Sequence, residues 1–269
     1  MTRRCSRKVN GWSPAKLLKG AGLPFSFLAT LAITPGAGSA SPDANEGRAE
    51  VQLALCAPAD RIVRTLNMQP RGGPVTVWQF DDKTLGLYAR GLRLRLRVTA
   101  DGRSELTLKV ADIDCLHADP VPALSGTGKC EYDVYETSTT SAVSLNRRLD
   151  ARQTVDLLGG RIAMVQALGS AQIAYLRSRA DSWPLPPGIR KLGPMALQTY
   201  RSAEKRYDLD VSRLPDGQRY VEISRKVPLA DAASAMEAMR KRVEAAGITA
   251  CSDQSSQALA KLRSLLRQE

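Results

Sequence analysis

Apolar and polar residues alternate with a period of two along much of this chain, the pattern of strands that pack one face and present the other to a polar medium. Val51, Leu53 and Leu55 alternate with Glu50, Gln52 and Ala54. Residues 75–80 form a second candidate strand, after the breaker Arg71-Gly72-Gly73-Pro74. In 91–98, Leu92, Leu94, Leu96 and Val98 share one face while Arg93, Arg95 and Arg97 share the other. A turn at Asp101-Gly102 leads into a further alternating run, 105–110, which carries Thr107 and Lys109 on its polar face. Residues 129–134 place Lys129, Glu131 and Asp133 together. Late strands are expected over 195–214, with a break, and over 219–225, where Val221 and Ile223 oppose Glu222, Ser224 and Lys226.

Helical spacing predicts the remaining elements. A helix is expected over 59–68, a broken helical pair over about 145–180 with Gly159-Gly160 as the interruption, and a longer helix over 228–246 capped by Gly247. A short helix with Leu259, Leu262, Leu265 and Leu266 on one stripe closes the chain. The polar strand faces admit two readings. In an open sheet packed on one side they meet water. In a closed barrel they converge on an interior rich in guanidinium, ammonium and carboxylate groups, which needs water, ions or an anionic ligand to offset their burial.

Composition changes the picture mainly at the N-terminus. The 269 residues carry a formal charge of +12, with 43% hydrophobic and 25% charged side chains. Six of the basic residues (Arg3, Arg4, Arg7, Lys8, Lys16 and Lys19) fall in the first 40 positions, which hold no Asp or Glu. A basic start, an apolar stretch over 21–33 and the small residues 36–40 make an export signal, so the mature chain is expected in the periplasm or outside the cell. The apolar stretch is short for a membrane span, and none is expected after the signal is removed. Without residues 1–40 the charge falls to +6, and no Lys/Arg-rich run, RNA-binding motif or zinc-finger spacing points to nucleic acid.

Four cysteines follow the signal: Cys56, Cys115, Cys130 and Cys251. Three pairings are open. The favoured one joins Cys115 to Cys130 across one inter-strand connection and Cys56 to Cys251 between the first strand and the C-terminal region. Their wide spacing is unlike a zinc site. His117, the sole histidine, lies between Cys115 and Cys130 and is expected to be a surface residue.

Over residues 50–135 the order of motifs resembles the CYTH family of triphosphate-tunnel proteins. The stretch Gln79-Phe80-Asp81-Asp82-Lys83-Thr84-Leu85-Gly86 leads into Gly91-Leu92-Arg93-Leu94-Arg95-Leu96-Arg97, similar to the family's aromatic-Asp segment and G-x-x-L-R-x-R strand. Leu106-Thr107-Leu108-Lys109 is similar to its L-T-x-K strand, and Lys129, Glu131 and Asp133 to its strand of a basic residue and alternating acids. The match is looser out to about residue 247. The resemblance implies an α+β fold: an eight-stranded antiparallel β-barrel with helices packed outside, a helical insert at about 145–180 and a C-terminal helical tail over 248–269. It also implies triphosphatase or cyclase chemistry with magnesium or manganese. Arg95, Arg97, Lys109 and Lys129, with Arg206, would bind phosphate. Glu50, Glu131, Asp133 and Glu222 would hold the metal, and Glu131 and Glu222 would serve catalysis.

The chain departs from the family at its first strand. Where the family has E-x-E-x-K, this chain has Glu50-Val51-Gln52-Leu53-Ala54, and Ser224 stands where a second late acid is expected. Gln cannot give the charge a hard cation prefers, and Ala gives neither charge nor proton transfer. Three readings follow: a barrel that binds polyphosphate or an organic phosphate with weakened catalysis, a metal-dependent triphosphatase or polyphosphatase, and a structural module of the envelope. The retained basic residues and the missing acids favour the first.

Overall fold

The computed structural model describes residues 47–115, 128–179, 182–253 and 257–267. The expected export signal, most of the linker after it, and His117 lie outside these residues.

Ten strands form one sheet, and nine of them close on themselves in the order β8-β3-β4-β5-β7-β6-β1-β10-β9, with β9 returning to β8. The strands are β1 (Arg48–Leu55), β2 (Met68–Pro70), β3 (Val75–Asp81), β4 (Leu92–Thr99), β5 (Ser104–Ala111), β6 (Gly128–Val134), β7 (Thr139–Leu149), β8 (Arg190–Ser202), β9 (Asp208–Arg213) and β10 (Arg219–Pro228). Short β2 pairs only with the end of β8. The barrel is therefore closed, the second of the two readings of the polar strand faces, but it has nine strands and is mixed, where the resemblance implied eight antiparallel ones. Every seam is antiparallel except β1 with β6, where the first strand meets a strand running its own way.

Closure turns the alternation into an inside and an outside. The apolar faces of β1, β4, β5, β7 and β10 point outward and are covered by helices. Val51, Leu53 and Ile223 pack under α1 (Ala59–Thr65) and α6 (Ala232–Ala245), contributing to one core with Ile62, Met239 and Val243. Leu94, Leu96, Leu106, Leu108 and Leu145 pack under α3 (Ala151–Leu158), α4 (Met164–Ala167) and α5 (Ser170–Arg177), with Leu157, Tyr175 and Leu176 filling the space. Each fully buried Leu or Ile of this kind contributes roughly 1.5–3 kcal/mol by leaving water.

Local chemistry sets the element ends. Asp150 caps α3 by accepting from the Gln153 backbone, while the Gln153 side chain accepts from the Asp150 backbone in return. The helical insert begins at Ala151 and not near residue 145, because Val143, Leu145 and Leu149 still alternate with Ser144, Asn146 and Arg148 as part of β7. Likewise α1 stops at Thr65 and Met68 already belongs to β2. The turn before α2 (Gly86–Ala89) places Leu85 in left-handed backbone, φ 58°. Asp82 Oδ1 supports it by accepting from Thr84 N at 2.7 Å and Gly86 N at 3.1 Å, and a side chain at Gly86 would collide with that carboxylate.

Two disulfides are present, Cys56–Cys251 and Cys115–Cys130, the favoured pairing. The first is set in a short bridge at the end of β1: Cys251 N donates to Ala54 O at 2.9 Å and Cys56 N donates to Thr249 O at 3.0 Å. The chain then enters α7 (Gln257–Leu266). This helix does not pack outside. Leu262 and Leu265 share a core with Val77, Met195 and Leu197. Val77 pairs directly with Arg97 and with Met195, which puts these residues on the interior side. The helix thus lies against the inner face of β3 and β8. Among the described residues no helix is long and apolar enough to cross a membrane.

Candidate functional site

Register decides which side chains share the interior, because residues opposed in a ladder point to the same face. Gln79 pairs with Arg95, Arg95 with Thr107, and Thr107 with Asn146. One step along, Arg93 pairs with Lys109, Lys109 with Ser144, and Ser144 with Lys129. Across the parallel seam Asp133 meets Glu50. Glu50 then pairs with Lys226, Gln52 with Ser224, and Ala54 with Glu222, which opposes Asp210. The strands therefore bring Arg95, Arg97, Lys109, Lys129, Glu50, Glu131, Asp133 and Glu222 onto one inner surface. Arg206 is not among them. It sits on the exposed turn between β8 and β9, away from any strand face.

The inner surface is divided by charge. On one wall Arg93, Arg95 and Arg97 stand in a row. The charge of Arg97, followed by burial, pushes Arg95 well below the usual guanidinium range, to about 9, and Asp210 and Glu105 offset this only in part. Beside it, Arg97 Nε, Thr107 Oγ1 and Asn146 Oδ1 are buried with no hydrogen-bond partner among the described residues. An unsatisfied buried polar group costs about 1–3 kcal/mol, so this wall is incomplete as it stands.

The other wall is satisfied. Lys109 pairs with Asp133, and Lys129 with Glu131. Lys226 bridges Glu131 at 3.1 Å and Glu50 at 3.4 Å. Asp133 also accepts from Gln52 Nε2 at 3.2 Å, and Glu50 from Ser224 Oγ at 3.2 Å. Burial raises the Glu131 carboxyl, but Lys129 and Lys226 outweigh it and hold the group below the usual carboxylate range. Glu222 is the exception. Burial, then the neighbouring charges of Asp210, Glu50 and Asp133, lift it from 4.5 to about 7, against the pull of Lys261.

Magnesium or manganese does not fit this arrangement. A hard cation takes several anionic oxygens at once. Here Glu50, Glu131 and Asp133 each already hold an ammonium group, and Gln52 is neutral. Among the described residues no group of three or more His, Cys, Asp or Glu side chains is placed to hold a metal.

Several inner residues escape the sequence pattern. Asn146 and Arg148 were hidden because 145–149 reads as helix. Asp208 and Asp210 alternate with Leu209 and Val211, a usable signal inside the broken run 195–214. Asp208 holds Arg201 through two bonds, 2.7 and 2.8 Å, and Arg71 at 3.1 Å. Asp210 accepts from Thr199 Oγ1 at 2.6 Å. Lys261 carried no signal at all. Conversely, the Asp81-Asp82 part of the family-like motif is structural: Asp81 is buried and accepts from the backbone of Asp82, Leu87 and Tyr88 at 2.8, 2.9 and 3.0 Å.

No protein-family model and no curated protein matches the sequence. Solved structures share the fold. A candidate adenylyl cyclase from Hippeastrum, described as revealing a dominant triphosphatase activity, is 15% identical with a TM-score of 0.55, covering 80% of this chain and 94% of that one. A candidate adenylate cyclase from Bacillus halodurans is 12% identical with a TM-score of 0.52, covering 78% of this chain and 97% of that one. The chain has the closed, CYTH-like barrel of the triphosphate-tunnel fold.

Proposed function

We propose that the barrel binds a phosphate-rich anion, polyphosphate or an organic phosphate, through its basic wall and without a divalent metal. One observation carries this reading: Arg97 Nε, Thr107 Oγ1 and Asn146 Oδ1 lie buried and unsatisfied next to an arginine whose proton affinity its neighbours depress. A polyanion resolves both costs, since phosphate oxygens accept from guanidinium forks and relieve the repulsion among them. The Asn146 amide turns to donate as readily as to accept. Lys109 and Lys129 border the same space and can exchange a carboxylate for a phosphate oxygen.

The compartment belongs to the same proposal. The basic, apolar and small-residue segments of the first 40 positions, with two disulfides, favour an exported protein in an oxidising compartment.

A hydrolytic reading has one observation of its own, Glu222. A carboxyl lifted to about 7 is suited to accept a proton from an attacking water near neutral pH. Glu131, already bound by two ammonium groups, is suited to positioning and not to proton transfer.

The test is titration calorimetry of the purified protein with tripolyphosphate in a chelator, beside phosphate release with manganese or magnesium. The binding reading expects saturable, metal-independent binding that Arg95→Ala weakens roughly ten- to a hundredfold, the worth of a charge-assisted bond. Turnover abolished by Glu222→Gln would favour hydrolysis. Neither binding nor turnover would remove both.

A further inference from the structure

The helix α7 delivers one cation to the inner surface from outside the ladder. Its seat is firm: Leu262 and Leu265 are buried against the inner residues Val77, Met195 and Leu197. Ser264 Oγ also bonds Asp216 Oδ2 at 3.2 Å and Gln218 Oε1 at 3.1 Å in the β9–β10 turn. Lys261 lies on the turn of helix preceding these anchors. Its Nζ is 5.5 Å from the centre of the Tyr220 ring. Tyr220 is on the inner face of β10, two residues before Glu222, and Glu222 opposes Asp210 on β9.

The ammonium group thus faces a small acidic patch, Glu222 and Asp210, flanked by an aromatic ring. Burial is the largest influence on Lys261 and lowers its proton affinity below the usual lysine range. Glu222 and Asp210 oppose this by attracting the ammonium, while Arg95 on the opposite wall repels it. Glu50, Glu131 and Asp133 each have a lysine from their own or a neighbouring strand and Asp208 has two arginines, whereas among the described residues no strand lysine is paired with Glu222. The first strand offers Ala54 at the paired position. A pair of carboxyl groups in such a setting is neutralised either by a proton or by a cation.

We infer that Lys261 is a built-in cation: it occupies the Glu222–Asp210 patch where a dissociable metal ion would otherwise bind, and it presents its charge to an anion seated at Arg95. An ammonium on a helix anchored by two leucines has a fixed local concentration, so the patch is filled without any free cation. Only the second half, the presentation to an anion, rests on the anion-binding reading.

The deciding experiment measures manganese binding to the protein alone, by calorimetry, for the wild type, Lys261→Met and the double variant Lys261→Met/Glu222→Gln. Methionine keeps the apolar stem that packs along the helix and removes the charge. Removing Lys261 should expose the patch and tighten manganese binding by about tenfold or more, and the double variant should lose that gain. Lys261→Gln serves as a second neutral variant should the methionine variant fail to fold, and Lys261→Arg should behave as wild type. Neutral variants that bind manganese no better than wild type would overturn the inference. A second arm uses tripolyphosphate. In a chelator Lys261→Met should bind about tenfold more weakly, and manganese should restore the loss. Unchanged affinity would limit Lys261 to neutralising Glu222 and overturn the second half. If tripolyphosphate fails to bind even the wild type, the anion-binding reading fails while the manganese result still decides the role of Lys261.

Discussion

Gln52 on β1 donates through Nε2 to Asp133 Oδ1 on β6 at 3.2 Å, across the parallel seam of the barrel. The same carboxylate pairs with Lys109 of β5. A neutral amide at this position therefore acts as part of a closed network, in which one acid serves one lysine and one amide. The lost carboxylate is not a vacancy in the interior, because hydrogen bonding has taken over the place of charge. This is why the acidic wall is satisfied without a metal, while the arginine wall keeps buried groups without partners among the described residues.

Restoring an acid there should reverse the balance. Gln52→Glu places a second carboxylate against Asp133 in a buried position, replacing a donor by a like charge. The expected loss is about 1–3 kcal/mol in denaturant unfolding with chelator present. Millimolar manganese should recover part of it, since the new pair can share a cation. Full stability without metal would show that the amide bond contributes nothing.

Two arginines named by the sequence pattern should behave differently. Arg95 stands among unsatisfied inner groups, and Arg95→Ala should cost most of the tripolyphosphate binding. Arg206 is exposed on the β8–β9 turn, and Arg206→Ala should change the affinity by less than about twofold, as expected of a solvent-screened surface charge. Equal losses in both variants, read by the same calorimetric titration, would place the anion on the outer surface.

The strand faces were legible because each strand here has one helix-covered side, so Leu94 and Leu96 alternate cleanly with Arg95 and Arg97. The Arg95, Lys109 and Asp133 positions follow from that alternation alone. Closure does not, since alternation is the same in an open sheet, and neither does the parallel β1–β6 seam, which depends on which strands meet. The end of β7 was masked because the apolar positions of 143–149 run directly into the helix capped by Asp150. For α7 the stripe of Leu262 and Leu265 announces a buried face but not its partner. That the partner is the inside of the barrel is a tertiary fact, and Lys261 becomes a site residue only through it.

The disulfides should matter unequally. Cys56–Cys251 spans 195 residues of chain and Cys115–Cys130 spans 15. In the chain-entropy account the longer loop gives the larger stabilisation. Cys251→Ser should then lower unfolding free energy by about 3–5 kcal/mol and Cys115→Ser by about 2–3 kcal/mol. Denaturant unfolding of the two variants measures the order, and peptide mapping without reductant should recover both pairs. Four free thiols in protein made in an oxidising compartment would contradict the pairing.

Glu222 gives the sharpest pH dependence. Its carboxyl is lifted from 4.5 to about 7, first by burial and then by Asp210, Glu50 and Asp133. Folding therefore takes up a proton at this group between those values. The contribution of the protonated carboxyl to stability is complete below about pH 4.5 and is lost as the pH rises through about 7. Wild type compared with Glu222→Gln isolates it, because glutamine does not titrate: the difference in Tm should move against the wild type between pH 5 and pH 8, then level off, those limits being set about the shift. Carbon-detected NMR of the side chain should show the midpoint directly. Lys261→Met should move that midpoint further up, since it removes a charge that favours the carboxylate. A midpoint in the ordinary carboxylate range, unmoved by Lys261→Met, would mean that Glu222 meets open water and that α7 does not close over it.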